Sequence, residues 1–315
     1  MYLIPPFPAG WRAARLALPL ALAALPRVGL AGELTAIYAQ ASPGFVRARL
    51  PDGTLAPVTY TLGEGGTLPG APYDASIDRL NFFDLAKAVS GPLEDQNYRP
   101  VPDRDPNKTK ILVMVYWGTT RGAAEATSTA AYQNLQAAGQ AAATVPPPPP
   151  PPSASARGSP PPVDGNVAAR AAYQGDITSA MAAVGLEDRQ RADADLKIAS
   201  LLGYDSELDS LAGGIGPREL KRADLIHELE EDRYFVVLMA YDFDALWKHQ
   251  KHRLLWVTRL SVRARGTNFT VALPAMVRQA GKYFGADTHG LVRDPLPLGR
   301  VEVGPVKSLG VVPGR

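Results

Sequence analysis

The sequence predicts an α/β protein of the α+β type: one mixed sheet of about four to five strands packed by two core helices, with a long helical and proline-rich insertion between its two central strands. Three observations carry this reading. The runs "ILVMVYWGTT" (Ile111 to Thr120) and "YFVVLMAYDF" (Tyr234 to Phe243) are apolar on both faces, as strands covered on each side require. Two segments, near residues 78–95 and 268–285, space their apolar residues three or four apart, the period of a helix with one buried face. Between the two apolar runs lies a stretch rich in alanine and helix formers, interrupted by seven consecutive prolines from Pro146 to Pro152.

A chain of 315 residues with 46% hydrophobic content buries a substantial core, which excludes disorder of the whole. The absence of cysteine removes disulfides, thiolate metal sites, cysteine nucleophiles and a lipid-modified N-terminal cysteine.

At the N-terminus, Arg12 and Arg15 precede an apolar core of about eleven residues from Leu16 to Pro26, followed by the small residues Gly29, Ala31 and Gly32. This pattern reads as a secretory signal over residues 1–32, with cleavage expected between Leu30 and Ala41. The apolar core is too short to span a bilayer, for which about 20 residues are needed, and Pro19 and Pro26 interrupt it. No transmembrane helix is expected after cleavage. Loss of Arg12, Arg15 and Arg27 leaves 30 basic and 31 acidic residues, so the chain is nearly neutral and gives no argument for nucleic acid. An exported chain without disulfides points to the bacterial envelope, periplasmic or secreted.

The first part of the α/β domain spans residues 33–118. In "PVTYTLGEGG", Val58, Tyr60 and Leu62 alternate with Thr59 and Thr61, the period of a strand with one buried face that ends in glycines. The next segment predicts a helix from about Asp78 to Asp95. Ser76 or Asp78 would cap it, Leu80, Phe83, Leu85, Ala88, Val89 and Leu93 would form its core face, and Gly91-Pro92 would kink it. Residues 119–231 form the insertion, a set of short helices around a proline-rich loop at 145–165 whose composition favours disorder.

The second part of the domain spans residues 232–290. "YFVVLMAYDF" and "RLLWVTRLSVRARG" predict an antiparallel hairpin with "DALWKHQKH" as an ordered connection and a second arm that exposes one basic face. "TNFTVALPAMVRQAGKYFG" predicts a core helix capped by Thr267 or Asn268, burying Phe269, Leu273, Met276, Val277, Ala280 and Phe284, and ending at Gly285. Residues 291–315 read as an extended C-terminal tail.

The chemistry-bearing residues are few. Asp242 and Asp244 flank Phe243 at the end of a central strand, where alternation would align two carboxylates for acid-base work. His249 and His252 make an H-x-x-H pair among Lys248, Lys251 and Arg253, which disfavour a cation. His227 fits a helix surface. Arg253, Arg259, Arg263 and Arg265 concentrate positive charge on the hairpin. There is no serine-hydrolase elbow, P-loop, zinc-protease helix or dinucleotide fingerprint. The sequence therefore assigns no catalytic, cofactor-binding or metal residue, and it implies no cofactor.

The order of strand, helix, "YRPV", two-sided strand, hairpin with "KHRLLW" opening its second arm, and "ALPAM" helix ending in "KYFG" resembles uncharacterised bacterial envelope proteins and lipoproteins. Their α/β domain is similar to the N-terminal domain of the TolB translocation protein. The resemblance covers residues 58–117 and 234–284, while the long insertion and the missing lipoprotein cysteine depart from it. The lack of catalytic motifs favours an exported, non-enzymatic envelope protein that binds or scaffolds an unknown protein partner through an exposed sheet edge, the helical insertion or the proline segment. A small-ligand carrier, or a hydrolase using Asp242 and Asp244, are the alternatives.

Overall fold

In the computed structural model the described residues are 33–68, 75–102, 105–122, 126–144, 146 and 166–296. The signal read over 1–32, the proline-rich loop at 145–165 apart from Pro146, and the tail beyond Leu296 lie outside them.

The chain is α/β with one mixed open sheet, and the described residues contribute seven strands and eight α-helices to it. In chain order these are β1 (Leu34–Ala41), β2 (Val58–Leu68), α1 (Ala75–Asp78), α2 (Phe82–Asp95), β3 (Tyr98–Pro100) and β4 (Ile111–Thr120). The helices α3 (Ala130–Ala143), α4 (Val167–Leu202), α5 (Asp205–Ser210) and α6 (Pro217–Glu230) follow. The chain then forms β5 (Arg233–Asp242), α7 (Phe243–His249), β6 (Leu254–Arg263), α8 (Phe269–Gly281) and β7 (Val292–Pro295). The sheet order is β3-β2-β4-β5-β6-β1-β7.

The two apolar runs are neighbours at the centre of this sheet. Strands β4 and β5 pair antiparallel over their full length, from Ile111 opposite Asp242 to Thr120 opposite Arg233. Strand β2 lies parallel to β4, and β5 continues into β6 as the expected hairpin, with α7 as its connection.

The strand count of four to five falls short because β1, β3 and β7 escaped the pattern. Strand β1 pairs β6 on one side and β7 on the other, with Ile37 and Ala39 fully buried. Strand β7 turns the first residues of the supposed tail into a sheet edge. Strand β6 does not expose a face. It sits between β5 and β1, and all but its ends and Arg259 are buried.

Helices α2 and α8 cover one face, burying Leu85, Val89, Leu93, Phe269, Leu273, Met276 and Val277 against Val113, Val115, Val236, Leu238 and Leu260. The helix read over 78–95 is two pieces. Asn81, not Ser76 or Asp78, caps α2: its side chain accepts from the backbone N–H of Phe83 and Asp84, and Asp84 returns a bond to the Asn81 N–H. Capping there turns Phe83 outward, leaving it 75% exposed rather than in the core. The two helices touch closely at Gly281, where a Cβ would stand 2.6 Å from Pro92 Cβ. Helix α8 is capped by Asn268 as expected but ends at Gly281, before Gly285, which holds φ +78° in the turn beyond.

The other face is covered by the insertion itself. Ala199 and Leu202 at the end of α4, Tyr204, Leu208 and Leu211 around α5, and Leu225 and Leu229 of α6 pack on Ala36, Phe235, Val237 and Val257. The insertion is thus not an appendage: its C-terminal half is the second layer of the domain. What reads as several short helices is largely one 36-residue helix, α4.

A buried polar network ties this layer to the sheet. Glu228 of α6 accepts from Tyr204 Oη at 2.7 Å, lies 3.2 Å from Arg233 Nη2 and accepts from Arg293 Nη2 at 2.7 Å. Arg233 is only 2% exposed, and its Nε also donates to Ser261 Oγ. Burial alone would raise the Glu228 carboxyl, but Arg233, Arg293 and the Tyr204 hydroxyl outweigh it and hold the group below its ordinary range.

Candidate interaction edge

Strand β3 is three residues long and covers only the start of β2, pairing Val58 to Tyr98 and Tyr60 to Pro100. The missing N–H of Pro100 faces away from β2; the pairing ends because the chain turns away after Val101, whose N–H makes the last bond, to Tyr60 O. The bonding directions along β2 follow from three contacts. Val58 N donates to Asn97 O and Tyr60 O accepts from Val101 N, both outward, whereas Thr59 O accepts from Lys110 N on the β4 side. Alternation then aims the N–H and C=O of Leu62 and Glu64 outward. Among the described residues these groups have no hydrogen-bond partner, so β2 beyond Tyr60 is an open sheet edge.

The edge is rich in glycine. Gly63 and Gly65 are places where a neighbouring strand lies close: a Cβ on Gly63 would meet Met114 Sδ at 2.5 Å, and one on Gly65 would meet the Tyr116 ring at 2.5 Å. Met114 and Tyr116 therefore lie flat across β2 on the face that α4–α6 cover only in part. Leu112, Met239 and Tyr241 continue that half-exposed apolar strip. On the opposite face Glu64 is exposed and, among the described residues, makes no ion pair. The register shifts between Glu64 and Gly66, a bulge at which Gly66 takes φ +103°.

The sequence-derived candidates fall elsewhere. Asp242 caps α7, its Oδ1 accepting from Ala245 N at 3.0 Å, and its Oδ2 is 3.4 Å from Arg253 Nη1. Asp244 stands between Lys248 Nζ at 2.8 Å and Lys110 Nζ at 3.0 Å, and hydrogen bonds from these lysines lower its pKa. The strand ends at Asp242 and α7 begins at Phe243, so the alternation that would have aligned the two carboxylates stops between them.

His249 ends α7 and His252 follows it, the latter edge-on to Tyr241, with Gln250 between them in the left-handed region at φ +52°. His227 lies exposed on α6. Among the described residues no group of three histidine, aspartate or glutamate side chains is placed to hold a metal ion.

Three of the four hairpin arginines are individually engaged, Arg253 with Asp242, Arg259 over the Tyr38 ring, and Arg263 with Glu33 and Glu231, while Arg265 is exposed beyond the end of β6. They do not form the outward basic face that the alternation of β6 suggests. Among the described residues no helix is long and apolar enough to cross a membrane.

Two clefts remain. One of about 460 Å³ separates α2 from α8, with Leu80, Ala88, Pro92, Leu273 and Pro274 in its lining. Pro92 and Pro274 have no N–H, so the carbonyls of Ala88 and Thr270 lose their i+4 helical donors along this cleft. The other, about 480 Å³, lies between β1 and the α5–α6 layer, where Tyr38, Gln40, Ser206, Glu207 and Lys221 make it polar.

The edge of β2 was missed in the sequence because an edge is defined by a neighbour's length; the available signal was the pair of glycines following an alternating strand. Comparison with known protein families, characterised proteins and solved structures yields no match to this chain.

Proposed function

We propose that this chain is an exported, non-enzymatic protein of the bacterial envelope, periplasmic or secreted, that binds or scaffolds a partner protein through the open edge of β2. The observation that carries the reading is that edge: outward backbone groups at Leu62 and Glu64 that have no partner among the described residues, beside a glycine floor and an apolar strip. An unpaired strand edge is the standing template for a further strand, and main-chain bonds there supply affinity without any catalytic group. Export rests on the arginine-led apolar run before residue 32, and the resemblance to envelope proteins with a TolB-like domain points the same way. Because β1 begins at Leu34, cleavage before Glu33 would spare every strand.

The hydrolase alternative finds no support in Asp242 and Asp244, whose carboxylates are occupied by a helix cap and three cations. A carrier of apolar ligands would call for an enclosed apolar pocket between sheet and insertion, whereas the cleft at that place is polar and open to solvent.

The test is site-specific photo-crosslinking in the native cells, with the crosslinking amino acid at exposed Thr67 on β2 and, as control, at exposed Asp209 on α5. One discrete protein adduct from Thr67 and none from Asp209 is expected. No adduct, or the same adducts from both positions, overturns the reading. N-terminal sequencing checks export, and an intact Met1 in the cytoplasm overturns it.

A further inference from the structure

We infer that the β2 edge selects an extended peptide segment in which one basic residue is flanked on each side by bulky apolar residues. This rests on the reading of β2 as a docking edge and specifies the chemistry of its partner. Residues directly opposite each other in paired strands share a face of the sheet. A partner residue opposite Glu64 therefore points to the same face as the Glu64 carboxylate, which is exposed and, among the described residues, without an ion pair. Lysine or arginine is the residue that answers it.

The partner residues on either side point to the opposite face, where Gly63 and Gly65 carry no side chain to oppose them. There they meet the Met114 thioether and the Tyr116 ring, which occupy the space a Cβ would take. Both groups reward apolar or aromatic contact. The pattern apolar–basic–apolar reads the same in both directions, so it holds for a parallel or an antiparallel partner.

A second copy of this chain does not fit the pattern. Centred on Glu64, a self-paired edge sets two like charges against each other. Centred on Gly63, it sets Glu64 against Leu62. Neither register brings a cation, because β2 holds no lysine or arginine.

The probe is the fluorescein-labelled peptide Ser-Val-Phe-Lys-Phe-Val-Ser, titrated with the full chain and read by fluorescence anisotropy. Three comparisons are made: the same peptide with glutamate in place of lysine, the lysine peptide N-methylated at alternate amides along one edge and then along the other, and the protein variant Glu64→Lys. The expected result is binding of the lysine peptide, about tenfold weaker binding of the glutamate peptide, loss of binding on methylation of one edge but not the other, and reversal of the charge preference by Glu64→Lys. The methylation result separates strand addition from simple charge attraction.

Equal binding of the two peptides, indifference to methylation, or no binding up to millimolar concentration overturns the inference. So does a concentration-dependent dimer, seen by sedimentation, that Glu64→Lys abolishes. If the peptides fail while Thr67 still crosslinks one partner, the chemistry assigned to the partner is wrong and the docking edge stands. If Thr67 captures nothing, the docking edge itself falls.

Discussion

Replacing Glu228 by alanine should destabilise the protein by about 3–5 kcal/mol, the cost of breaking a buried ion pair from one side. The size follows from what the carboxylate holds. Arg233 is 2% exposed, and with Glu228 gone its guanidinium keeps the Ser261 hydroxyl at 3.2 Å and the Tyr204 ring at 5.9 Å but, among the described residues, no carboxylate. The Tyr204 hydroxyl loses its acceptor in a buried position, and Arg293 loses the carboxylate that joins β7 to α6. Against a typical total of about 5–15 kcal/mol, such a loss is visible in a urea titration at neutral pH as a lower midpoint with an unchanged slope.

A double-mutant cycle isolates the cause. In an Arg233→Met background the Glu228→Ala cost should shrink by well over half, because the cation left uncompensated is no longer there. A cost below about 1 kcal/mol, or the same cost in both backgrounds, would refute the idea that Glu228 compensates a buried charge. The pH dependence has a definite sign. The Glu228 carboxyl titrates below its ordinary 4.5 in the folded chain, so its contribution is present above that pH and is lost as the pH falls through the lower folded value. Wild type should therefore lose stability below pH 4.5 more steeply than Glu228→Ala.

Val113→Asp and Val237→Asp should each abolish the cooperative unfolding transition followed by near-ultraviolet circular dichroism, since both sites are buried and an unpaired carboxylate there costs several kcal/mol. The first tests the α2–α8 face and the second the face covered by the insertion, so a mild Val237→Asp would deny that the insertion is a structural layer. Gly281→Ala should lower the urea midpoint by the equivalent of about 1–3 kcal/mol, because the new methyl meets a rigid proline ring at 2.6 Å; no change would mean that α2 and α8 separate freely. A chain beginning at Glu33 should keep its thermal transition, whereas one beginning at Gln40 should lose it, having lost buried Ile37 and Ala39; equal stability of the two would remove β1 from the core.

The centre of the fold was legible because burial on both faces leaves a mark in the residues themselves. Runs of six or more apolar residues at β4 and β5, and the three-four spacing of Leu85, Val89, Leu93 and of Phe269, Leu273, Met276, cannot be arranged otherwise without exposing them. The periphery failed for specific reasons. Strand β1 follows directly on a leader-like apolar run, and its small residues Ala36 and Ala39 weaken the alternation around Ile37. Strand β6 reads as one-sided because Arg259, Ser261 and Arg263 alternate with apolar residues, yet Val257 and Ser261 on that same face are buried, Arg259 is half-buried over the Tyr38 ring, and exposed Arg263 at the strand end reaches Glu33 and Glu231. In α4 the buried residues Ala199 and Leu202 sit at one end and Ala180 far from them, while Met181, Leu186 and Leu196 are exposed, so no single stripe runs along its length.

The open edge is illegible for a deeper reason. Periodicity reports what a residue faces above and below the sheet, because side chains alternate between those two directions. It is silent about the third direction, along the sheet, in which only the backbone points and every residue type carries the same two groups. Whether β2 has a neighbour is decided about forty residues later by the turn after Val101, which stops β3 at three residues. The glycines of "LGEGG" likewise read as a strand ending, since glycine is poor in strands taken one at a time. In place they continue the strand as far as Leu68, because Met114 and Tyr116 from β4 fill the volume their missing side chains vacate. A feature made of one strand's shortness and another strand's borrowed side chains belongs to no local stretch of sequence, and that is why a chain with legible strands kept its open edge out of sight.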